Sequence, residues 1–160
     1  SLGGVVASAS VRIAGNHFDQ AIVAFCRKEH GLGIGRGTAE FVKSRYASAW
    51  PLREEGYVDI RGVDQATGSP RTITVSTVEL REAIEEPVHG ICDTVRDTLE
   101  ATPPELVADA SHQGLVLTGG GALLLGLDRR LAFELGFPVR LARDPRHSVV
   151  RGAAAYLESF

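Results

Sequence analysis

The chain has no methionine, only two cysteines and one tryptophan, and aromatic residues make up just 6% of it. Cys26 and Cys92 are too few for a disulfide framework and fall within helix-like apolar patterns. They read as small core residues of a reducing compartment. The five histidines (His17, His30, His89, His112, His147) show no paired metal-ligand spacing, so solvated or capping roles account for them. There is no basic cluster: 17 basic and 20 acidic residues leave a net charge of −3, which argues against nucleic acid as a partner. No signal peptide is visible. The run 114–127 is apolar apart from Thr118, but it is shorter than the ~20 residues a membrane span needs and is broken by glycines. No period of 20–50 residues repeats. No Ser-His-Asp or Cys-His arrangement is apparent, and no carboxylate pair is placed for hydrolysis, so this chain alone is not expected to catalyse.

The missing methionine also means a missing initiator. Residues 1–6 already read as strand and turn, as in an excised part of a longer chain; removal of the initiator before Ser1 explains it equally.

What is present fits one soluble domain with a small insertion. The 160 residues are 44% apolar and 23% charged, long enough to bury a core. Residues 4–13 alternate as strand, with Val5, Val11 and Ile13 as apolar anchors, and break at Ala14-Gly15-Asn16. Residues 18–29 put Phe18, Ile22, Phe25 and Cys26 on one helical face, closed by His30-Gly31. After a glycine-rich link, Thr38 is a plausible N-cap for a helix burying Phe41, Val42, Tyr46 and Ala49, with Pro51 as its stop. Residues 57–61 and 72–75 alternate with period two around a turn-rich segment, predicting a β-hairpin with an extended loop. Ser76-Thr77-Val78-Glu79 is a capping-box pattern for a helix to about Glu86. A fresh helix opening near Pro87 buries Val88, Ile91, Cys92, Val95 and Leu99. A short helix over 104–110, a strand over 114–118, a helix over 123–135, a strand over 137–141 and a closing helix over 147–160 complete the pattern. Strands alternating with helices predict a largely parallel sheet covered on both faces.

The most informative stretch is Leu117-Thr118-Gly119-Gly120-Gly121-Ala122-Leu123-Leu124. A β-rich apolar run stops at three glycines and restarts as a helix-like segment. Glycines let backbone approach a ligand closely, and the free amides at a helix start favour a phosphate or a polar ligand edge. A dinucleotide fingerprint fits poorly. It needs GxGxxG spacing and an acid about 20 positions on, where Arg140 and Arg143 have the wrong sign and Asp144 is late.

Several ordered motifs resemble one family. Residues 11–19, containing Arg12-Ile13-Ala14-Gly15 and Asp19, resemble the R-x-A-G-x-x-x-D of bacterial actins of the MreB/Mbl type. Thr38-Ala39-Glu40 with Lys43 resembles their T-A-E-x-x-K, and residues 63–70 their G-x-D-x-x-T-G-x-P. Arg81-Glu82-Ala83 with Glu86-Pro87-Val88, then Thr102-Pro103-Pro104-Glu105-Leu106 and the glycine stretch, match further motifs in order. Near the end, Asp144-Pro145 and Arg151-Gly152 are kept, while Arg146-His147 replaces a small or apolar pair.

The resemblance implies one half of the actin-like ATPase fold (α/β, ribonuclease H-like), its second large domain. Residues 1–33 and 87–160 would form the inner subdomain and 34–86 the outer one. It implies ATP as ligand, with Mg in the full-length context. It also implies self-association into protofilaments, with the 64–70 hairpin loop among the contact candidates, and work with the cell-wall elongation machinery that sets cell shape. The first actin-like domain, with its phosphate loop and catalytic group, would lie outside this chain, as would the membrane-contacting element. The location implied is the bacterial cytoplasm, membrane-associated in full-length relatives.

Glu40 and Lys43 lie one turn apart on one helical face. On spacing alone they are a surface ion pair worth about 0.3–0.5 kcal/mol. The resemblance makes Glu40 a ribose acceptor and Lys43 a contact along the base. Gly119, Gly120, Gly121 and Ala122 would lie against phosphates and sugar, with Gly15 on the phosphate side. Arg146 is most simply a solvated arginine, and by resemblance lies near the cleft floor. Asp19 is most simply a favourable charge on the helix dipole. Two other classes remain. One is an actin-fold kinase or chaperone ATPase half; the other is a stand-alone interaction module that binds no nucleotide. Polymerisation of the complete protein with ATP separates off the first. Stable monomeric folding without ATP would favour the second.

Overall fold

The computed structural model describes residues 7–11, 15–119, 124–142 and 155–159. Two sheets organise them. A four-stranded parallel sheet runs in the order β1 (Ala7–Val11), β7 (Ala155–Ser159), β5 (Leu115–Gly119), β6 (Val139–Leu141). A three-stranded antiparallel sheet runs β2 (Leu32–Gly33), β3 (Tyr57–Asp64), β4 (Pro70–Ser76). The helices are α1 (Gly15–His30), α2 (Arg36–Tyr46), α3 (Thr77–Ala83), α4 (Glu85–Glu100), α5 (Pro104–Gln113) and α6 (Leu127–Leu135).

One apolar core joins the layers. Phe18, Ile22 and Cys26 of α1 meet Val88, Ile91 and Cys92 of α4, Leu115 and Leu117 of β5, and Leu127 and Leu131 of α6. Val58, Ile60 and Val75 of the hairpin and Val42 of α2 belong to the same cluster. Full burial of such side chains contributes roughly 1.5–3 kcal/mol each. Burial pushes the thiols of Cys26 and Cys92 up to about 11, so both stay protonated core groups, as their sequence setting implied.

Local chemistry explains several boundaries. Ser76 caps α3 by accepting from the Glu79 amide at 3.0 Å while Glu79 accepts from the Ser76 amide at 2.7 Å. Gly31, at φ +59°, closes α1, and its N–H donates to the Arg27 carbonyl at 3.0 Å. The hairpin alternates as expected, with Val58 and Ile60 buried between exposed Tyr57, Asp59 and Arg61. Its tip is fixed by Asp64, whose carboxylate accepts from the Ala66 and Thr67 amides.

Four expectations are corrected. Thr38 does not cap α2: the helix starts at Arg36 with Gly35 in the cap position, so Thr38 lies inside it. Phe41 is 52% exposed, and the Arg45 guanidinium covers its ring, while Ala39 takes the buried place. The helix expected from 123 starts at Leu127, because Leu125 gives its carbonyl to the Ala49 amide and Gly126 turns left-handed. The expected closing helix is also absent over 155–159: those residues form β7, parallel to both β1 and β5. A short apolar run does not by its period distinguish a helix from a buried strand, and the gap between β1 and β5 demands hydrogen bonds from something. A further strand, β2, lies within what read as a glycine link.

Candidate functional site

Three of the parallel strands, β1, β7 and β5, end level with one another. Val11 of β1 and Gly119 of β5 both pair with Ser159 of β7, one on each side. Strand spacing of ~4.8 Å therefore sets the carboxyl ends of β1 and β5 about 10 Å apart. The carboxyl edge of a parallel sheet is where open α/β folds take their ligands, because the strands there feed turns with free backbone groups. Gly15 follows β1 by four residues and begins α1 on that edge, while Gly119 is the last residue of β5.

Helix α2 reaches this edge from the other sheet. The Lys43 Nζ lies 2.8 Å from the Asp19 Oδ1 and donates to the Gly15 carbonyl at 3.3 Å. The Asp19 contact is an ion pair by distance, without hydrogen-bond alignment at that oxygen. The side chains are 17% and 5% exposed respectively, so the pair is largely withdrawn from water. A Cβ at position 15 would sit 3.2 Å from the Lys43 Nζ, so glycine there leaves room for the ammonium.

Of the site residues expected from sequence, Gly15 and Lys43 are thus in direct contact. Lys43 does not pair with Glu40, as spacing alone suggested. Glu40 is exposed, and its carboxylate has no ion pair or hydrogen bond among the described residues. Gly119 ends β5 at the same edge. Gly120, Gly121, Ala122 and Arg146 lie outside the described residues. Asp19 was underread: it stands beyond the first turn of α1, where the helix dipole acts weakly, and is 3% exposed beneath Lys43. Its signal was the four-residue step from Gly15, which puts the carboxylate one turn below the glycine on the same face.

A separate groove of about 620 Å³ runs between α1 and the α3–α4 junction, lined by Phe25, Lys28, His30, Glu82 and Pro87 among others. Its lining on α1 runs from Ala21 to His30, which at 1.5 Å per residue is roughly 9–22 Å along the helix from Gly15, away from the strand edge. Among the described residues no group of three or more His, Cys, Asp or Glu is placed to hold a metal ion. No helix among them is long and apolar enough to cross a membrane.

Residues 1–160 match the family model described as MreB/Mbl protein. The chain is 48% identical over 158 residues to the cell shape-determining protein MreB of Escherichia coli (strain K12), covering 99% of this chain and 46% of that protein. It is 43% identical over 159 residues to the cell shape-determining protein Mbl of Bacillus subtilis (strain 168), covering 99% of this chain and 48% of that protein. The crystal structure of MreB5 of Spiroplasma citri bound to ADP superposes with a TM-score of 0.81 at 35% identity, over 84% of this chain and 41% of that one. The chain spans about half the length of the curated relatives it matches. With a family model matched from end to end and an actin-like α/β fold shared with a solved relative, the chain belongs to the MreB/Mbl family.

Proposed function

We propose that this chain supplies the adenosine side of an ATP cleft in a filament-forming protein that sets cell shape and directs lateral wall synthesis. One observation carries the reading. Gly15 and Gly119 stand on the carboxyl edge of the parallel sheet, and Lys43 of α2 is clasped to the first of them. The ADP held by the Spiroplasma citri relative is consistent with a nucleotide there.

The residues present suit an adenosine. Lys43 commits its ammonium to Asp19 and Gly15, which leaves its methylene stem as an apolar rail for a base. Glu40, one turn earlier, offers an uncommitted carboxylate to ribose hydroxyls. Gly15, Gly119, Gly120 and Gly121 give backbone without Cβ atoms to sugar and phosphates, with Ala122 following them. Arg146 is a candidate for the cleft floor. The nucleotide supplies the phosphoanhydride to be broken, with Mg neutralising its charge; the first actin-like domain would bring the phosphate loop and catalytic group. This half alone binds and orients, and does not hydrolyse.

In this reading residues 1–33 and 87–160 form the inner subdomain and 34–86 the outer one. Protofilament contacts lie on outer edges, with the Asp64 hairpin tip among them. The working partners are further copies of the protein and the wall-elongation machinery in the bacterial cytoplasm, with membrane contact through parts outside this chain.

The direct test is ATP titration of the native polypeptide that contains this chain, beside Glu40→Gln. The substitution keeps shape and removes the charge accepting from ribose, so affinity falls by about tenfold, as for a lost charge-assisted hydrogen bond. Unchanged affinity rejects Glu40 as a ribose ligand.

A further inference from the structure

Helix α2 is followed by a segment that neither sheet claims, and its backbone meets the chain at Leu125 and Gly126. The α2 cap, Ala47, donates its N–H to the Lys43 carbonyl at 3.2 Å. Next, Ser48 pairs with Leu125 in an isolated parallel bridge, and the Ala49 N–H donates to the Leu125 carbonyl at 2.8 Å. Then Trp50 lies against Gly126. That glycine is at φ +80°, and a Cβ on it would be 2.7 Å from the Trp50 Cβ. Glycine is needed there both for the backbone angle and for the space. Ala47, Ser48 and Ala49 are all at most 3% exposed, so these are interior contacts.

The segment is fastened from behind. Arg81 of α3 donates from Nη1 to the buried Ser48 Oγ at 3.2 Å and from Nη2 to the Glu55 Oε1 at 2.7 Å. Glu55 accepts from the Leu52 amide at 3.1 Å and from the Thr77 hydroxyl. Thr77 and Gly56 exchange two further bonds, N–H to carbonyl at 2.9 Å and N–H to hydroxyl at 3.0 Å.

The chain is therefore anchored on both sides of residues 120–123. Before them, Gly119 is held by β7, within the parallel sheet. After them, Leu125-Gly126 is held by the segment leaving α2, the helix that carries Glu40 and Lys43. We propose that Ser48, Ala49 and Trp50 form a positioning strap that locks the α2 face and Leu125-Gly126 into one body, with Arg81 as its anchor. This rests on the nucleotide reading above and deepens it. None of the strap's side chains touches the ligand. They set the distance between the group that receives the adenosine and the backbone that receives the sugar and phosphates. A ligand spanning both is held tightly only while that distance is fixed.

The test follows release of a fluorescent ATP analogue from the native polypeptide in stopped flow, well below each variant's melting midpoint. Arg81→Met keeps the apolar stem and removes both bonds. It speeds release by about tenfold, within the range by which residues linking two sites modulate coupling. Arg81→Lys restores a cation beside Glu55 and recovers part of the loss. Ser48→Ala, which removes only the buried hydroxyl, speeds release by a smaller factor and serves if Arg81→Met does not fold. Hydrogen exchange at the Ala49 amide rises in the same order. A lowered melting midpoint with release unchanged in all three variants overturns the strap and leaves the nucleotide reading standing. Wild-type protein that binds no ATP analogue overturns that reading, and the strap with it.

Discussion

The two sheets are built by opposite routes. The antiparallel sheet closes between Leu32 and Ser76, strand next to strand, with one fixed tip and a capped exit. The parallel sheet closes only when Ala7 meets Ala155, across almost the whole chain. The first is a product of local sequence and the second of tertiary hydrogen bonding. It is the second that creates a level edge with glycines on it. The site depends on a tie between the routes, since Lys43 rides on α2, between two strands of the antiparallel sheet, and pairs with Asp19 of α1, the helix that follows β1.

That contrast ranks what substitutions should do. Lys43→Ala is expected to cost most, about 3 kcal/mol, because it leaves the 5%-exposed Asp19 carboxylate without its cation. Urea denaturation measures it, and Lys43→Ala with Asp19→Asn should recover part of the loss. A cost near that of a surface pair, under about 1 kcal/mol, would break the claim that the tie is interior. Ser76→Ala should cost about 1 kcal/mol, the usual loss for one cap. Its effect should appear as early exchange of α3 amides, while amides of β5 keep their protection, which sharpens the division between local and long-range elements.

The smallest effect concerns pH. Arg81, then Thr77, hold the Glu55 carboxyl down to about 2, from an ordinary value of 4.5, by hydrogen bonds to its charged form. A depressed carboxyl contributes stability fully above its ordinary value and loses it as pH falls toward the folded one. The stability difference between the wild type and Glu55→Gln should thus be constant from neutral pH down to about 4.5, and shrink below it. A difference already falling at pH 6, followed by chemical denaturation, would assign the effect to another group.

Legibility in the sequence follows the same division. The hairpin, the Ser76–Glu79 box, the Gly31 stop and the apolar stripe of α4 are all written within a few residues of where they act, and the structure has them. The start of α2 is misplaced in the sequence because Thr38 is a better cap by type than Gly35, yet the helix begins three residues earlier than that cap implies. Strand β7 read as helix because its partners lie far away in sequence, on β1 and β5. At the site, Gly15, Lys43 and Gly119 were singled out by motif, while the Asp19 pairing and the hold of Ala49 on Leu125 involve partners 24 and 76 positions apart that no local pattern announces.

The most direct measurement is hydrogen–deuterium exchange on the native polypeptide, with and without ATP. The expected result is added protection at the start of α1, along α2 from Glu40 to Tyr46, and through Val116 to Gly119, with the Phe25–Pro87 groove unchanged. Protection confined to that groove, or none at the strand edge when ATP is bound, would contradict an adenosine site at the carboxyl ends of β1 and β5.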